Sequence, residues 1–341
     1  MQKKKYIWRW LLPLVVAVFI AGYFIRLPYF IQMPGAAQNM AKMIEVPGGQ
    51  PIHGKYSLVY IYLGQANLYS YLWTMLEHNR YTTLVKDDEV MLPGQSEQDY
   101  NRIQNNYMRD AQQTAAYVAY RAAGKHPILD RDGVLILAVM PSMPGARVLK
   151  SGDIIIDADG RHVSSMDELD ALLQPKRVGD RVTLTILRGT ERKQIRLAIS
   201  KFPKSAAIAQ KKQGIGIYQA NYLNVKVSPK VRFKVGNIGG PSAGLMMTLS
   251  IYDQLMRDDL AAGRSIAGTG TIDLNGNVGP IGGIEDKIVG ADRSGVRLFF
   301  APVADHEYQQ AKRTARAIGS SMIIVPVRTF QDAVSYLERH R

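Results

Sequence analysis

The stretch Gly239-Gly240-Pro241-Ser242-Ala243-Gly244 lies between a predicted strand, residues 231–235, and a predicted helix, residues 243–255. The first amides of a helix lack helical partners, and the helix dipole there favours negative charge. Ser242 is therefore a candidate nucleophile, because an oxyanion formed beside it would meet backbone donors. The alternative role for this serine is a structural N-cap in a glycine-rich turn.

A second segment, Gly282-Gly283-Ile284-Glu285-Asp286-Lys287, supplies the candidate base. A helical step of about 100° per residue places Lys287 beside an apolar stripe that contains Ile284 and Ile288. Burial on such a stripe lowers the pKa of a lysine and supplies the neutral amine that a serine nucleophile needs. The alternative is a lysine whose ammonium reaches water along its aliphatic stem. Together, the two segments predict Ser242 as nucleophile and Lys287 as general base.

Residues 1–35 are predicted to lie outside the soluble fold. Three lysines, residues 3–5, precede the uncharged and almost wholly apolar run 10–25. With residues 6–8 this run reaches about the 20 residues that a bilayer requires. Basic residues before the run place the N-terminus in the cytoplasm and the rest of the chain outside. We therefore predict a single-pass cell-membrane anchor with an extracytoplasmic catalytic domain. The alternative, a cleaved signal peptide, has no small-x-small site directly after the run.

The overall composition excludes several kinds of chemistry. The chain has no cysteine, which removes thiol nucleophiles and thiolate metal sites. Its net charge of +14 suits an anionic surface, and no nucleic-acid recognition motif accompanies that charge. His306-Glu307 begins a zinc-protease motif, but Gln310 stands where the second histidine belongs. No metal, cofactor or nucleic-acid partner is predicted, and a homo-oligomer stays open.

Residues 127–200 have short alternating strands, tight turns and one short helix after Ser165. They resemble a PDZ domain of the bacterial protease type in five segments: Gly133-Val134-Leu135-Ile136, Pro144-Gly145-Ala146, Ser151-Gly152-Asp153-Ile154-Ile155, Asp159-Gly160 and Val178-Gly179-Asp180. Such domains bind an extended peptide as an added strand. The resemblance implies a groove lined by Gly133, Val134, Leu135 and Ile136. The alternative is a purely structural spacer.

Three segments resemble the proteolytic domain of Lon-type Ser/Lys peptidases: Gly240-Pro241-Ser242-Ala243-Gly244, Gly268-Thr269-Gly270 and Pro280-Ile281-Gly282-Gly283-Ile284-Glu285-Asp286-Lys287. The resemblance implies Ser242 as nucleophile and Lys287 as base, with a hydrogen bond from Thr269 to the lysine. Gly240 and Ala243 would support the nucleophile. Two positions depart from the family, which often has acidic residues where this chain has Gly239 and Thr271.

With the anchor and the PDZ unit, the chain resembles the Lon-like, PDZ-containing surface proteases of Gram-positive bacteria. The predicted fold class is α+β, with an anchor over residues 1–35, protease residues 36–126 and 201–341, and an inserted PDZ domain at 127–200. We expect a serine endopeptidase that acts on peptides or unfolded segments without ATP, since no G-x-x-x-x-G-K-[ST] phosphate loop occurs.

Two other functions stay open at this point. One is a catalytically inactive, membrane-tethered peptide receptor or scaffold. The other is an α/β-hydrolase-type esterase, because Gly240-x-Ser242-x-Gly244 fits a nucleophile elbow, with His306 or His340 as a third member. An α/β-hydrolase mechanism would leave Lys287 without a role.

Overall fold

The computed structural model describes residues 13, 16, 19–77, 79–91, 95–130, 133–203 and 212–341. Residues 19–24 are helical. The helices that follow are α1 (Leu68–Glu77), α2 (Asp87–Val90), α3 (Glu97–Ala122), α4 (Met166–Leu173), α5 (Gly244–Leu255), α6 (Ile284–Arg293), α7 (Glu307–Ala317) and α8 (Phe330–Arg339), with 3-10 turns at Met40–Lys42, Pro144–Arg147 and Ala304–His306.

The strands in these ranges are β1 (Arg26–Asn39), β2 (Ile44–Glu45), β3 (Lys55–Asn67), β4 (Thr83–Lys86), β5 (Ile128–Asp130), β6 (Val134–Val139), β7 (Ile154–Ala158), β8 (Arg161–His162), β9 (Arg181–Arg188), β10 (Glu191–Ala198), β11 (Ser200–Lys201), β12 (Gln213–Gly214), β13 (Ile217–Asn221), β14 (Asn224–Lys226), β15 (Arg232–Phe233), β16 (Ser265–Gly268), β17 (Thr271–Ile272), β18 (Val278–Gly279), β19 (Leu298–Pro302) and β20 (Ile323–Val327).

The first large sheet has the strand order β20-β19-β16-β3-β1-β4. Strands β3, β16, β19 and β20 are parallel, whereas β1 runs antiparallel to β3 and β4. Successive side chains of a strand point to opposite faces, so Phe300 packs with α3, α5 and α8 while Phe299 packs with α6 and α7. The result is a mixed α and β architecture with helices on both faces of the sheet.

The folded region begins earlier than predicted, because strand β1 starts at Arg26. Its pairing with β3 runs from Arg26 opposite Asn67 to Asn39 opposite Ser57, and Phe30 and Ile31 are buried in the sheet. Residues 26–35 therefore belong to the protease sheet, although the prediction placed them with the anchor. Apolar residues next to a hydrophobic run are compatible both with a buried strand and with a membrane span. Only the strand that pairs with them shows which of these structures forms.

The predicted anchor itself, residues 10–25, lies largely outside the described residues. Its described part, residues 19–24, is helical and almost entirely exposed. Across the ranges that the structure describes, no helix combines the length and the apolar character needed to cross a bilayer.

The second large sheet has the order β10-β9-β7-β6-β13, with β8 paired to β7. Its core is aliphatic, and the buried carboxylate of Asp153 accepts two hydrogen bonds from the Arg188 guanidinium, at 2.8 and 2.7 Å. Helix α4 begins as predicted, with the Ser165 side chain accepting the Glu168 amide. One strand of this sheet, β13, lies beyond the predicted 127–200 segment, so the unit draws on residues that follow it in the chain.

Helix α3 links the two sheets. Ser96 caps it by accepting the Asp99 amide. One side of the helix packs against α5 in the first core. Near its start, Ile103 packs with Leu135 and Leu137 of β6. A single rigid helix therefore contacts both the catalytic half and the second sheet.

Candidate active site

Ser242 lies just ahead of the helix that its loop introduces. Helix α5 begins at Gly244, and its N-cap, Ala243, makes no side-chain capping bond. Ser242 is thus not the N-cap, which removes the structural alternative for this serine. Its carbonyl accepts the Gly270 amide at 2.9 Å and the Thr269 hydroxyl at 3.1 Å, and these two bonds hold the backbone of the nucleophile in place.

Gly239 and Gly240 allow the loop before Ser242 to approach helix α3 closely. Gly240 has a φ of +86°, a conformation that side chains with a Cβ rarely adopt, and its amide donates to the Gln104 carbonyl at 2.8 Å. A Cβ on Gly239 would lie 2.8 Å from the Cβ of Gln104. The acidic residue that many Lon-type sequences carry at this position would therefore collide with α3 in this chain.

The loop also leaves amide donors open for an oxyanion. Among the described residues, no carbonyl accepts the amide of Ser242 or that of Ala243. Both amides adjoin the nucleophilic oxygen at the N-terminal end of α5, where the helix dipole favours negative charge. The arrangement is suited to stabilising the tetrahedral oxyanion of acyl transfer.

Lys287 is buried beside this serine. Helix α6 begins after Gly283, whose φ of +67° turns the chain into the helix. The side chain of Lys287 projects from the first turn, and the residue is only 3% exposed. Its Nζ lies 2.7 Å from Ser242 Oγ and 3.0 Å from Thr269 Oγ1. The predicted burial is confirmed, and the alternative of an ammonium that reaches water is wrong.

The surroundings of Lys287 prepare it to act as a base. Burial lowers its pKa to about 8, while the nearby Glu307 carboxylate opposes that shift. The neutral amine is then a substantial fraction of the lysine near neutral pH, unlike in an exposed lysine. Thr269, only 1% exposed at the end of β16, holds the amine on the serine side through the 3.0 Å contact. This is the contact implied by the family resemblance.

Two acidic residues near the lysine were not predicted from the sequence. Asp286 is buried and accepts a 2.6 Å hydrogen bond from the Gln32 side chain of β1. Burial also raises its pKa. Glu307, which begins α7, is buried beside the lysine. The only sequence signal for Glu307 was its place in an incomplete zinc motif.

Strand β6, where the sequence predicts a peptide groove at Gly133–Ile136, is paired on both sides. In strand β6, Val134 lies opposite both Asn221 of β13 and Ile155 of β7, and the Gly133 carbonyl accepts the Tyr222 amide. A strand paired on both sides has no free edge to which a peptide can add. Among the described residues, β13 is the outer strand on the β6 side of this sheet, and its far edge is unpaired.

The α/β-hydrolase alternative, with His306 or His340 as the third catalytic residue, does not match the contacts of the Ser242 hydroxyl. The Ser242 hydroxyl is hydrogen-bonded to a lysine, whereas His340 bonds the Tyr336 carbonyl and stacks on that tyrosine at the end of α8. His306 is exposed. A Ser–Lys pair is therefore the arrangement present at the nucleophile.

Comparisons with known proteins give two family matches. Residues 97–199 match the family described as PDZ domain, and residues 200–337 match the Lon protease (S16) C-terminal proteolytic domain. The family boundary falls between residues 199 and 200, so strand β13 of the second sheet lies within the proteolytic match.

Individual relatives are similar over part of their length. The Lon protease of Ureaplasma parvum is 34% identical over 133 residues, which cover 38% of this chain and 16% of that protein. Lon protease 2 of Bacillus subtilis is 37% identical over 97 residues, 28% of this chain and 16% of the relative. A PDZ domain of an SdrC-like protein from Listeria monocytogenes is 30% identical and covers 26% of this chain and 90% of its own, with a TM-score of 0.24.

The matched segment thus spans about 16% of the length of the first curated relatives. Within this chain, the Lon-type match at residues 200–337 contains the Ser242–Lys287 contact at the end of the first sheet. Residues 97–199 are therefore similar to a PDZ domain and residues 200–337 to the proteolytic domain of Lon-type proteases, and the second match supports a serine protease.

Proposed function

We propose that this chain is a membrane-anchored serine endopeptidase that cleaves extracytoplasmic peptides or unfolded protein segments without ATP. The observation that carries the proposal is the 2.7 Å contact between Lys287 Nζ and Ser242 Oγ in a buried site. A buried lysine at this distance serves as the base that a serine hydroxyl requires. The Lon-type match of residues 200–337 supports the same reaction class.

In the first half of the reaction, neutral Lys287 takes the proton of the Ser242 hydroxyl as its oxygen attacks a peptide carbonyl. The amides of Ser242 and Ala243 stabilise the resulting oxyanion. Collapse of the tetrahedral adduct breaks the C–N bond, and the Lys287 ammonium returns its proton to the leaving amine. An acyl-enzyme ester on Ser242 and a neutral lysine remain.

In the second half, Lys287 takes a proton from water as the water oxygen attacks the ester. A second oxyanion forms at the same amides, the C–O bond to the serine breaks, and the proton passes from Lys287 to Ser242. The carboxylic acid product leaves, and the original dyad is restored.

The test is hydrolysis of an unstructured peptide by the full chain in detergent or lipid, with product masses that locate the cleaved amide bond. Because the neutral amine is the active form, we expect kcat/KM to rise about tenfold per pH unit below 8 and to level off above it. Turnover should be the same with and without ATP. Cleavage that persists in Ser242→Ala would contradict the proposal, as would a rate independent of pH between 6 and 8.

The peptide-recognition role that the PDZ match suggests belongs, in this proposal, to the open edge of β13 and not to β6. Helix α4 lies beside β13, where Asp170 accepts the Gln219 side chain at 3.0 Å and the Met166 amide donates to Asn221 at 2.7 Å. A peptide strand would add between β13 and α4. The preceding Gly214-Ile215-Gly216 turn, where Gly216 has a φ of +80°, would receive its C-terminal carboxylate.

The anchor is supported by the apolar run 10–25 and by the exposed apolar surface of residues 19–24. Membrane fractionation of cells that express the full chain, followed by protease treatment of intact cells, tests both anchoring and orientation. A protein released into the soluble fraction, or one protected from external protease, would contradict this part of the proposal.

A further inference from the structure

Glu307 has a buried carboxylate whose two oxygens differ in their hydrogen bonding. It is 4% exposed at the start of α7, and its Oε1 accepts the Ile281 amide at 2.7 Å. Its Oε2 is buried and accepts no hydrogen bond within the described part of the chain. An ionised carboxylate is kept in such a place only when another charge or a polar group compensates its desolvation.

The Ile281 amide is the first compensating group, and the charge of Lys287 is the second. Helices α6 and α7 pack together in one core, and the charges of Glu307 and Lys287 act on each other there. A protonated lysine has three N–H donors; two of them are directed at Ser242 and Thr269. When Lys287 takes the serine proton, an ammonium forms in a buried site, and a nearby carboxylate stabilises it.

Glu307 also holds the segment from which the lysine helix starts. Ile281 lies in the Pro280–Gly283 segment that leads directly into α6, and its amide is bound by the Glu307 carboxylate. The same side chain therefore fixes the start of the helix and supplies the counter-charge to its lysine.

We propose that Glu307 is a positioning residue of the Ser242–Lys287 pair, which anchors the start of α6 and stabilises the Lys287 ammonium formed during catalysis. This inference rests on the proposed proteolytic function. The role parallels that of a carboxylate that orients and stabilises a catalytic imidazolium, here applied to an amine.

Other acidic groups lie near this pair. Burial raises the pKa of Glu307, and the neighbouring Asp305 adds to that effect. Asp286 of α6 is held by Gln32, and Glu285 acts on Asp286. Of these carboxylates, Glu307 is the one whose charge raises the pKa of Lys287 against the effect of burial.

The experiment compares wild type with Glu307→Gln, Glu307→Ala and the control Asp305→Asn. Glutamine keeps an oxygen for the Ile281 amide but removes the charge, whereas alanine removes both. Asp305 is exposed and has a φ of +48°, which asparagine tolerates. The readouts are kcat against pH and the titration of the Lys287 Nζ by NMR of ¹⁵N-lysine-labelled protein.

In Glu307→Gln we expect the Lys287 titration to move below its wild-type midpoint of about 8, and kcat at high pH to fall roughly tenfold because a weaker base receives the proton. Asp305→Asn should match wild type in both readouts. An unchanged midpoint in Glu307→Gln would overturn the proposal, and so would a loss confined to Glu307→Ala. If wild type itself cleaves nothing, the proteolytic function fails, while the NMR titration still decides the role of Glu307.

Discussion

In the proposed function, the Ser242–Lys287 site and the open edge of β13 contact a substrate in opposite ways. The first relies on the buried Lys287, whose Nζ lies 2.7 Å from the hydroxyl of the half-buried Ser242 and 3.0 Å from that of the buried Thr269. The second offers the main chain of an outer strand, which any extended peptide can pair with. Chemistry in this molecule therefore depends on desolvated functional groups, and recognition depends on which strand is left unpaired.

Helix α3 touches both regions through neighbouring residues. Ile103 packs against the β6 side of the second sheet, and the Gln104 carbonyl accepts the Gly240 amide beside the nucleophile. The difference between the regions can therefore be examined by variants that affect one and leave the other unchanged.

The largest effect is expected at the nucleophile and base. Ser242→Ala and Lys287→Ala should each lower kcat on the order of 10⁴-fold, to a similar residual level, because the members of a catalytic pair act as a unit. Affinity for a peptide that binds only at β13, measured by calorimetry, should not change. Substantial turnover in Lys287→Ala would contradict the assignment of this lysine as the general base.

The second prediction concerns the free energy of unfolding, because burying the Lys287 ammonium is unfavourable. A pKa lowered in the folded state from 10.5 to about 8 means that the unfolded chain binds more protons between these values, so stability rises with pH through this window. Lys287→Met should raise the free energy of unfolding at pH 7 by up to about 3 kcal/mol. Denaturant unfolding at pH 7 and above pH 10 checks this, because the gain should disappear at the higher pH.

A smaller effect is expected from the residue that orients the lysine. Thr269→Val keeps the shape of the side chain but removes both its bond to Lys287 and its bond to the Ser242 carbonyl. We expect kcat to fall roughly tenfold to a hundredfold, as for the loss of one well-placed catalytic hydrogen bond. Thr269→Ser restores the hydroxyl and should recover most of the rate; equal loss in both variants would indicate a packing role.

The smallest effect is expected at β13. The Tyr222 amide points to Gly133, so strand alternation directs the Gln219 amide to the open side. Gln219→Pro removes that donor and should weaken binding of a C-terminal peptide by up to about tenfold, the value of one main-chain hydrogen bond. Gln219→Ala controls for the lost contact with Asp170, and kcat on a short generic peptide should stay within twofold of wild type. Equal weakening in both variants would place recognition elsewhere.

The elements that the sequence predicted well are those with local signals. The short helix predicted after Ser165 begins there, with Ser165 accepting the Glu168 amide, because a cap depends on residues three positions apart. Lys287 was placed correctly because its neighbours along one helix face are apolar. Strand partners were not predictable in this way: nothing local to residues 26–35 or 133–136 indicates what pairs with them.

The sequence by itself determined the chemistry of this protein, since a serine in a glycine-rich turn and a lysine on an apolar helix face are visible in the order of residues. Only the tertiary structure decided the pairing of β1 with β3, the occupation of β6 by β13, and the burial of Glu307 beside Lys287. The physical reason is that reactivity follows from residue type and helical period, whereas free edges and counter-charges depend on contacts between segments far apart in the chain.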